Sequence, residues 1–347
     1  MGRVSAPGSD MARYVLPAFL LFILVPLRAS GDLGESPFSL RFPAAFSHYS
    51  PFADVAAKGG ASAASPFGSS FNLAGIAWSF APEEFDYLAS ANYGFLAFDS
   101  GTELHLNTQT LAFDVAEIGV FRFALVEFES DRGFLRDAAT GYDFELLGSR
   151  LDWSKRLGDY GVGAGLGYTS AETLFSRGRL RLSDSERDNL TGRLSIQRQW
   201  WERWLIGASA DIGGGETEVL RESAPRVGVR SFESSHQWNV QTGVAYQITP
   251  KAAAHLDYQI AHLAHEAAEL DIHRWSFGTD IPVGDRLMLR TGVATDQWGH
   301  VGFSSGVAFF PKRGTTLNLA FQDGMTPELD REFENSRLFN FSVSVKW

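Results

Sequence analysis

The sequence predicts an all-β protein, a 14-stranded antiparallel transmembrane β-barrel with an N-terminal lumenal hatch. Three observations predict this fold. The chain starts with an apolar segment of the signal-peptide type, many segments of about ten residues alternate apolar and polar side chains, and fourteen such segments can be counted. An even number of alternating strands of about this length is typical of barrels that cross the bacterial outer membrane.

Composition excludes several other classes of protein. The 347 residues include 30 Lys and Arg against 41 Asp and Glu, so the net charge is −11, and there is no Cys. Without Cys the chain has no disulfide, no thiol nucleophile and no Cys-based metal site. The acidic balance argues against a nucleic-acid partner, which requires Lys and Arg to displace phosphate counterions. Because no phosphate loop or dinucleotide fingerprint is present, we expect no cofactor.

The apolar N-terminal segment covers residues 15–27. It is too short to cross a bilayer of about 30 Å as a helix, and Pro17 and Pro26 argue against a buried helix. A basic residue precedes it and small residues follow it, which is the pattern of a cleaved signal peptide. We therefore expect residues 1–30 to be a signal peptide, with Met11 as an alternative start, and the mature protein to be exported.

The last eleven residues, 337–347, show the strand pattern clearly. The residues on one face are Phe339, Phe341, Val343, Val345 and Trp347, and those on the other are Asn340, Ser342, Ser344 and Lys346. A helix would scatter these apolar side chains around its axis. The same alternation recurs at 160–168, 237–248 and 274–281, with Trp or Tyr near several strand ends. Such aromatic residues are expected at the two lipid interfaces of a membrane barrel.

The predicted barrel occupies residues 85–347. Its strands are placed at 86–98, 102–113, 117–128, 141–154, 159–170, 188–200, 203–214, 235–248, 251–263, 270–281, 286–297, 300–310, 315–323 and 337–347. Lipid cannot satisfy an open sheet edge, so these strands must close on themselves. The strand at 141–154 changes its apolar face near Leu146 and Leu147, which we interpret as a β-bulge.

The connectors predict the orientation of the barrel. Short turns are predicted at 155–158, 201–202, 249–250, 282–285 and 311–314, and longer loops at 129–140, 171–187, 215–234 and 324–336. Bacterial barrels keep short turns on the periplasmic side and long loops outside. This parity places Trp347 at the periplasmic rim of a barrel in the outer membrane. We expect the barrel as a whole to contact membrane lipid and lipopolysaccharide.

Residues 31–84 precede the barrel and show no sustained period. They could form a disordered periplasmic tail or fold inside the lumen. The second interpretation is favoured by the aromatic content, which is high for a solvated linker. The aromatic residues concerned are Phe38, Phe42, Phe46, Phe52, Phe67, Phe71 and Trp78.

Within this segment, residues 54–64 (DVAAKGGASAA) and 71–78 (FNLAGIAW) resemble the N-terminal signature of the long-chain fatty-acid transporter (FadL-like) superfamily of outer-membrane barrels. The resemblance implies fourteen strands, a hatch inside the barrel and passage of hydrophobic molecules. The residues that the motif assigns to the hatch are Gly59, Gly60, Asn72, Ala74 and Gly75. The chain departs from the signature at Leu73, where the family usually has Pro, and at Phe67 and Gly68, where acidic residues are usual.

The predicted loop 171–187 is a candidate capture site for a hydrophobic ligand. It combines apolar residues with cations that suit a carboxylate headgroup, namely Leu174, Phe175, Arg177, Arg179, Leu180 and Arg181. An apolar patch beside arginines fits an amphipathic acid. Alternatively, these arginines bind lipopolysaccharide phosphates or pair with Asp184, Glu186 and Asp188.

The strand pattern also places charged side chains inside the lumen. The lumenal polar residues are Arg193, Asp211, Asp257, Arg274 and Arg290, together with Arg150, Asp152, His255, Asp280 and Asp296. Mixed charges at close quarters favour a narrow, cross-linked interior. A purely structural role, as ion pairs between neighbouring strands, is the favoured interpretation.

Three functions remain open at this point. The first is transport of hydrophobic or amphipathic small molecules, and the second is a structural barrel that binds a periplasmic or surface protein, as in type IX secretion. The third, an enzyme using Ser304 or His265, is disfavoured. The G-x-S-x-G match at 302–306 lies in an alternating strand rather than in a strand-to-helix turn, and the histidines near 262–266 lack metal-site spacing.

Overall fold

A computed structural model of the chain describes residues 38–47, 52–64, 72–79, 86–130, 133–135, 139–177, 180–223, 227–249, 252–265 and 268–347. The predicted signal peptide, residues 1–30, lies outside the described residues, as do Phe67 and Gly68. Among the residues described, no helix is long and apolar enough to span a membrane.

Fourteen long antiparallel strands form the wall. They are β1 (Tyr87–Phe98), β2 (Glu103–Val115), β3 (Gly119–Ser130), β4 (Thr140–Leu157), β5 (Tyr160–Arg177), β6 (Leu180–Trp200), β7 (Trp204–Ser223), β8 (Val227–Thr249), β9 (Ala252–His265), β10 (Ala268–Val283), β11 (Leu287–Asp296), β12 (Val301–Phe309), β13 (Thr315–Asp323) and β14 (Ser336–Lys346). A two-residue strand, Gly133–Phe134, pairs with the start of β4. Because β1 pairs with both β2 and β14, and β3 pairs with β4, the barrel is closed. The predicted fold and strand count are confirmed.

The two faces of the wall differ as the alternation predicts. Large apolar side chains on the outer face are exposed, for example Leu166, Leu194 and Ile212, at 65%, 66% and 69%. Polar side chains on the inner face are buried, for example Asp257 and Asp280. This arrangement requires hydrocarbon outside the barrel, since so large an apolar belt exposed to water would be a binding or aggregation surface.

Aromatic pairs gather at the end of the barrel where the turns are short, which we call the short-turn end. Trp347 stacks on Tyr87 with ring centroids 5.7 Å apart, and Trp204 lies 4.8 Å from Tyr246. Such pairs are suited to a lipid interface, where an amphipathic ring meets both hydrocarbon and water. We call the opposite end the loop end.

Two of the predicted long loops are wrong. Residues 171–177 continue β5, residues 180–187 belong to β6, and most of 215–234 belongs to β7 and β8. The sequence failed here because the outer face of these segments is no longer apolar. The strands therefore extend well beyond the apolar belt.

A row of five glutamates marks where this extension begins. Directly opposed pairs join Glu129 to Glu145, Glu145 to Glu172, Glu172 to Glu186, and Glu186 to Glu218, across β3 to β7. Carboxylates are costly in hydrocarbon. The row therefore lies above the membrane core, and the upper parts of β5 to β8 form a collar beyond it.

The predicted bulge at Leu146 and Leu147 is also wrong. The pairing of β4 with β3 and β5 runs through both residues without a shift. Even-numbered residues face inward along the whole strand, from buried Tyr142 and Phe144 to Asp152 and Ser154. The apolar pattern changes because the lumen itself changes from polar to apolar towards the loop end.

In the described part of the N-terminal segment, three short helices lie inside the barrel: α1 (Phe38–Ser47), α2 (Ala53–Ala56) and α3 (Leu73–Ser79). α2 contacts β12 to β14 and α3 contacts β4 to β6, whereas α1 lies near the loop end against β9, β10 and the β13–β14 connector. The described parts of the predicted hatch therefore fill the lumen, and the interpretation as a solvated tail is wrong for them.

The β13–β14 connector closes the loop end over α1. It contains a 3₁₀ turn (Pro327–Leu329) followed by α4 (Asp330–Phe333). Arg41 of α1 donates to the backbone oxygen of Glu328 at 3.2 Å and pairs with the Glu332 carboxylate. Phe333 is fully buried in an apolar cluster with Phe42. The N-terminal segment and this connector are thus one packed unit.

Candidate functional site: the lumenal cavity and its hatch

The hatch begins with a tight turn after α2. Gly59 and Gly60 have φ of +68° and +90°, a region that side chains rarely adopt. The turn closes with the amides of Lys58 and Gly60 both donating to the oxygen of Val55, at 3.0 and 3.1 Å. This accounts for the Gly-Gly element of the motif, because a Cβ would strain the backbone at both positions.

A carboxylate of the wall holds the next part of the hatch. Asp257 of β9 accepts hydrogen bonds from the backbone amides of Ser62 and Ala63, both at 2.6 Å, and from Gln241 at 2.9 Å. A carboxylate that receives two amide donors makes a strong, charge-assisted contact. Asp257 was predicted to face the lumen, and the structure places it there with partners both on the hatch and, through Gln241, on the neighbouring strand β8.

Asn72 connects the second motif segment to the first and to the wall. Its side-chain oxygen accepts from the Ala74 amide at 3.0 Å, so it acts as the N-cap of α3, while its amide group donates to the Ala63 oxygen. The Ala74 amide also donates to Ser195 of β6 at 2.8 Å, and the Gly75 amide donates to the Asn72 backbone oxygen at 3.0 Å. Asn72, Ala74 and Gly75 are therefore brought together in the hatch.

The departure at Leu73 is explained by its position. Leu73 is the first residue of α3, where Pro is tolerated because the amide there needs no helical partner. Leu73 is fully buried, and it faces Gly163 of β5. The substitution keeps the helix start and adds an apolar contact with the wall.

Glycines of the wall create the seat of the hatch. At six positions a Cβ would first meet a hatch residue: Gly161, Gly163, Gly207, Gly278, Gly292 and Gly306. At Gly207 it would overlap the backbone oxygen of Ala63, and at Gly292 the backbone of Lys58. The wall and the hatch are therefore in backbone contact, which leaves no room for a side chain. We call these six residues the glycine seat.

A buried ion cluster locks the hatch to the seat. Asp280 of β10 lies 3.7 Å from the Lys58 ammonium, 2.7 Å from His255 and 2.8 Å from Arg290. Lys58 and Asp280 are almost fully buried. Breaking such a cluster by removing one partner leaves an uncompensated buried charge.

A cavity of about 610 Å³ lies above the hatch, towards the loop end. α1 contributes Phe38, Phe42 and Phe46, which fall on one face because they are four residues apart. The wall contributes three further rings, Phe128, Phe144 and Phe175. Phe42 packs on Phe144 with ring centroids 4.6 Å apart, and Phe38 lies 5.5 Å from Phe175. This part of the cavity offers an aromatic surface to an apolar solute.

Arginines line the remainder of the cavity. Arg122 donates to Asp152 at 2.9 and 2.6 Å, and Arg193 donates to Asp211 at 2.7 Å. These pairs join neighbouring strands, as the structural interpretation of the lumenal charges predicts. Arg150 lies 3.9 Å from Asp152.

Arg187 has a different environment. It lines the same cavity, and its Nε is buried without a hydrogen-bond partner among the described residues. A guanidinium with an unused donor beside an aromatic surface suits the anionic end of an amphipathic molecule.

The other predicted lumenal arginines are engaged elsewhere. Arg274 donates to Glu328 of the β13–β14 connector at 2.8 Å, and Arg290 donates to Asn318 at 2.7 Å as well as to Asp280. The predicted set therefore divides into residues that hold the hatch, residues that hold the connector and residues that line the cavity.

The predicted capture residues are not brought together. Phe175 faces the cavity, whereas Leu174 lies on the opposite face of β5. Arg181 is exposed and pairs with Asp184 at 2.8 Å, which is the alternative raised from the sequence. The structure places Arg177 at the end of β5 and Leu180 at the start of β6, and Arg179 lies outside the described residues.

Sequence reasoning missed Arg187 because it lay within a segment taken for a loop. Two signals could have located the cavity. Period two runs through 183–193 of β6, which puts Arg187 on the same face as Arg193, and Phe144 and Leu146 place apolar residues on the inward face of β4. Both signals run against the rule that apolar residues of a membrane barrel face lipid, on which the face assignment depends.

The disfavoured catalytic residues have structural contacts. Ser304 lies within β12 and donates to the Ala57 backbone oxygen at 3.1 Å, and His265 pairs with Glu233 at 3.0 Å. In the described ranges, no group of three or more His, Asp or Glu side chains is placed to hold a metal ion.

Fold and cavity together define the class: a fourteen-stranded barrel with a lumenal hatch and a mixed aromatic and cationic cavity above it. Among solved structures, the toluene transporter TbuX of Ralstonia pickettii is similar, with a TM-score of 0.62 and 10% identity, over 87% of this chain and 100% of that one. The toluene transporter TodX of Pseudomonas putida has a TM-score of 0.54 and 13% identity, over 85% and 97% of the two chains.

A FadL homologue of Pseudomonas aeruginosa is also similar, with a TM-score of 0.54 and 12% identity, over 85% of this chain and 98% of that one. No protein-family model matches the sequence, and no curated protein matches it. At these identities the likeness establishes the fold, which is the one that the sequence resemblance implied.

Proposed function

We propose that the protein is an outer-membrane barrel that passes hydrophobic or amphipathic small molecules into the periplasm. The observation that carries this proposal is the cavity, whose phenylalanine surface and arginines lie directly above the hatch. The similar structures named above include toluene transporters and a FadL homologue. The outer apolar belt fits a bilayer, and the short-turn end, with Trp347, faces the periplasm as in other bacterial barrels.

In this proposal the hatch moves to let a solute pass, because at the glycine seat the wall and the hatch are in backbone contact. A solute that enters from the loop end meets Phe175 and the α1 rings before it reaches the arginines. Its apolar part replaces water along the aromatic surface, which contributes about 25 cal/mol for each Å² of apolar area buried. Release then requires the hatch contacts of Asp257 and Asp280 to open.

The ligand best suited to this cavity is an amphipathic acid resembling a fatty acid. Arg187 lies where a carboxylate would end, while the rings of α1 lie along a hydrocarbon chain. Capture is proposed to start at the tip of the β5–β6 hairpin, which carries the predicted residues from Leu174 to Arg181. Lipopolysaccharide surrounds this collar, and a periplasmic or surface protein could accept the ligand.

Calorimetric titration of the purified barrel in neutral detergent with dodecanoate and dodecanol tests the proposal. Arg187→Gln should weaken dodecanoate binding about tenfold or more, because a charge-assisted hydrogen bond contributes about 1.5–3 kcal/mol, and should leave dodecanol binding unchanged. Arg198→Gln, at the short-turn end, is the matched control. Absence of saturable binding by either compound, or no uptake of dodecanoate by cells dependent on this barrel, would contradict the proposal.

A further inference from the structure

A second recess, of about 490 Å³, lies at the short-turn end. It is formed by the β10–β11 turn, the β12–β13 turn and the end of β14. Among the residues described, four cations from these segments line it, Arg286, Lys312, Arg313 and Lys346, together with one acidic residue, Asp285. In a chain with eleven more acidic than basic residues (41 − 30), this local excess of positive charge is unusual.

The remaining lining groups add hydrogen-bond donors and an apolar edge. The hydroxyl groups of Thr315, Thr316 and Ser344 line the recess, and Phe310 contributes an aromatic ring. Within the described part of the chain, Thr315 Oγ1 is buried without a hydrogen-bond partner. Guanidinium, ammonium and hydroxyl donors together form a set that recognises carboxylate or phosphate oxygens.

The recess is close to the machinery that holds the hatch. Thr316 is two residues from Asn318 on β13, so both face the lumen. Asn318 accepts from Arg290 at 2.7 Å and donates to Ser342 at 3.0 Å, and Arg290 donates to Asp280 at 2.8 Å. One layer of side chains thus separates the recess from the ion cluster that locks the hatch.

The size of the recess selects the kind of ligand. Its volume falls in the range of small-molecule pockets, about 300–1,000 Å³, whereas a stable protein partner needs about 800 Å² of surface. We propose that this recess binds the anionic headgroup, a carboxylate or phosphate, of an amphiphile on the periplasmic side. The placement in the periplasm rests on the proposed function, but binding of the anion does not.

The test uses the full barrel in neutral detergent, titrated calorimetrically with dihexanoylphosphatidylglycerol, hexanoate and zwitterionic dihexanoylphosphatidylcholine. The double variant Lys312→Gln with Arg313→Gln should weaken binding of an anionic probe at least tenfold. Arg203→Gln, in the β6–β7 turn, removes a cation from a turn away from the recess and serves as the matched control. Arg187→Gln tests whether the anion binds instead in the cavity above the hatch, which we call the upper cavity. Heat-shifted electrophoretic mobility shows that each variant is folded.

The probes distinguish the sources of the headgroup. Binding of the phosphatidylglycerol alone supports a lipid headgroup, and binding of hexanoate supports a small carboxylate. Equal binding of the phosphatidylcholine, no saturable binding of either anion, or an affinity unchanged in the double variant overturns the proposal. A loss seen only in Arg187→Gln places the anion in the upper cavity and also overturns it. The proposed function is tested separately, by binding and uptake of dodecanoate, so its failure can be distinguished from failure of this proposal.

Discussion

Two levels of the same lumen differ in how the inward-facing positions are used. At the hatch level, the wall offers glycines, and the backbone of residues 57–63 fills the space that side chains would occupy. At the cavity level, the wall offers phenylalanine and arginine, and space remains between them. The same two-residue alternation produces both. The difference shows that the residue types on the inner face of a barrel depend on what fills the lumen. Glycines face a packed hatch, whereas large side chains face open space.

The largest expected contrast concerns charge. Asp280→Ala should lower the free energy of unfolding by about 3–5 kcal/mol, because it leaves Lys58 and Arg290 as buried charges at the hatch level. Asp211→Ala, at the cavity level, should cost less, about 1–2 kcal/mol, since Asp211 and Arg193 border the cavity, where water can replace the lost partner. Urea titrations in lipid vesicles, followed by tryptophan fluorescence, measure both values. Equal losses of stability would show that water has no better access to the ion pair at the cavity level than to the cluster at the hatch level.

The next contrast concerns volume. Gly207→Ala should destabilise the protein by about 1–3 kcal/mol, because the added methyl group overlaps the backbone of Ala63. Amide exchange within residues 52–64 should become faster as the hatch is displaced. Gly192→Ala is the matched control, since its Cβ would meet only Ile212, at 3.8 Å. If exchange in the hatch is unchanged by Gly207→Ala, the glycine seat does not position it.

A further prediction concerns the pH response of the loop end. Burial raises the pKa of Asp330 to about 6, with Asp99 acting in the same direction and His300 against it. An acid whose pKa is raised binds its proton more tightly in the folded state, so the docked connector is most stable at low pH. That stability falls as pH rises from about 4 to about 6.

Amide exchange of residues 324–335 at pH 5 and pH 7 measures this effect. Exchange should be slower at pH 5, and Asp330→Asn should remove the difference beyond the intrinsic pH dependence of exchange. A pH response that persists in Asp330→Asn would assign it to another group of the connector.

The smallest expected effect lies outside the lumen. Glu172→Gln removes a like charge that directly faces Glu145 and Glu186, so the variant should be more stable by about 0.2–1 kcal/mol. The gain should shrink as salt concentration rises, since the row is exposed to solvent. A loss of stability in the same urea titration would contradict this prediction and would mean that the Glu172 carboxylate makes a stabilising contact with a cation.

The strand count and face assignment were predictable because lipid imposes one physical rule, apolar residues outside, on every strand that crosses it. The rule stops applying where lipid stops. Beyond Glu172 the outer face is mixed, with Leu174 and Ser176 on β5 and Asp184 on β6, so the sequence of this part of β5 and β6 resembles a loop. Inside the lumen no comparable rule exists, which is why Leu146 suggested a bulge instead of a cavity wall.

The site was predictable only in part for the same reason. The lumenal positions of Arg193, Asp211 and Asp257 followed from alternation, but their partners depend on the hatch, which has no period. The hatch residues Asn72 and Gly75 were found through resemblance to a family motif. The role of Asn72 as a helix cap became evident only from its hydrogen bonds.

The collar above the glutamate row has a consequence for where a solute first leaves water. Phe175 is three residues beyond Glu172 on β5, so the upper edge of the aromatic surface stands outside the bilayer altogether. If the protein acts as proposed, an incoming molecule would therefore meet the aromatic surface before it reaches the depth of the acyl chains. In the proposed function, its entry would then be a step from this raised rim down into the cavity.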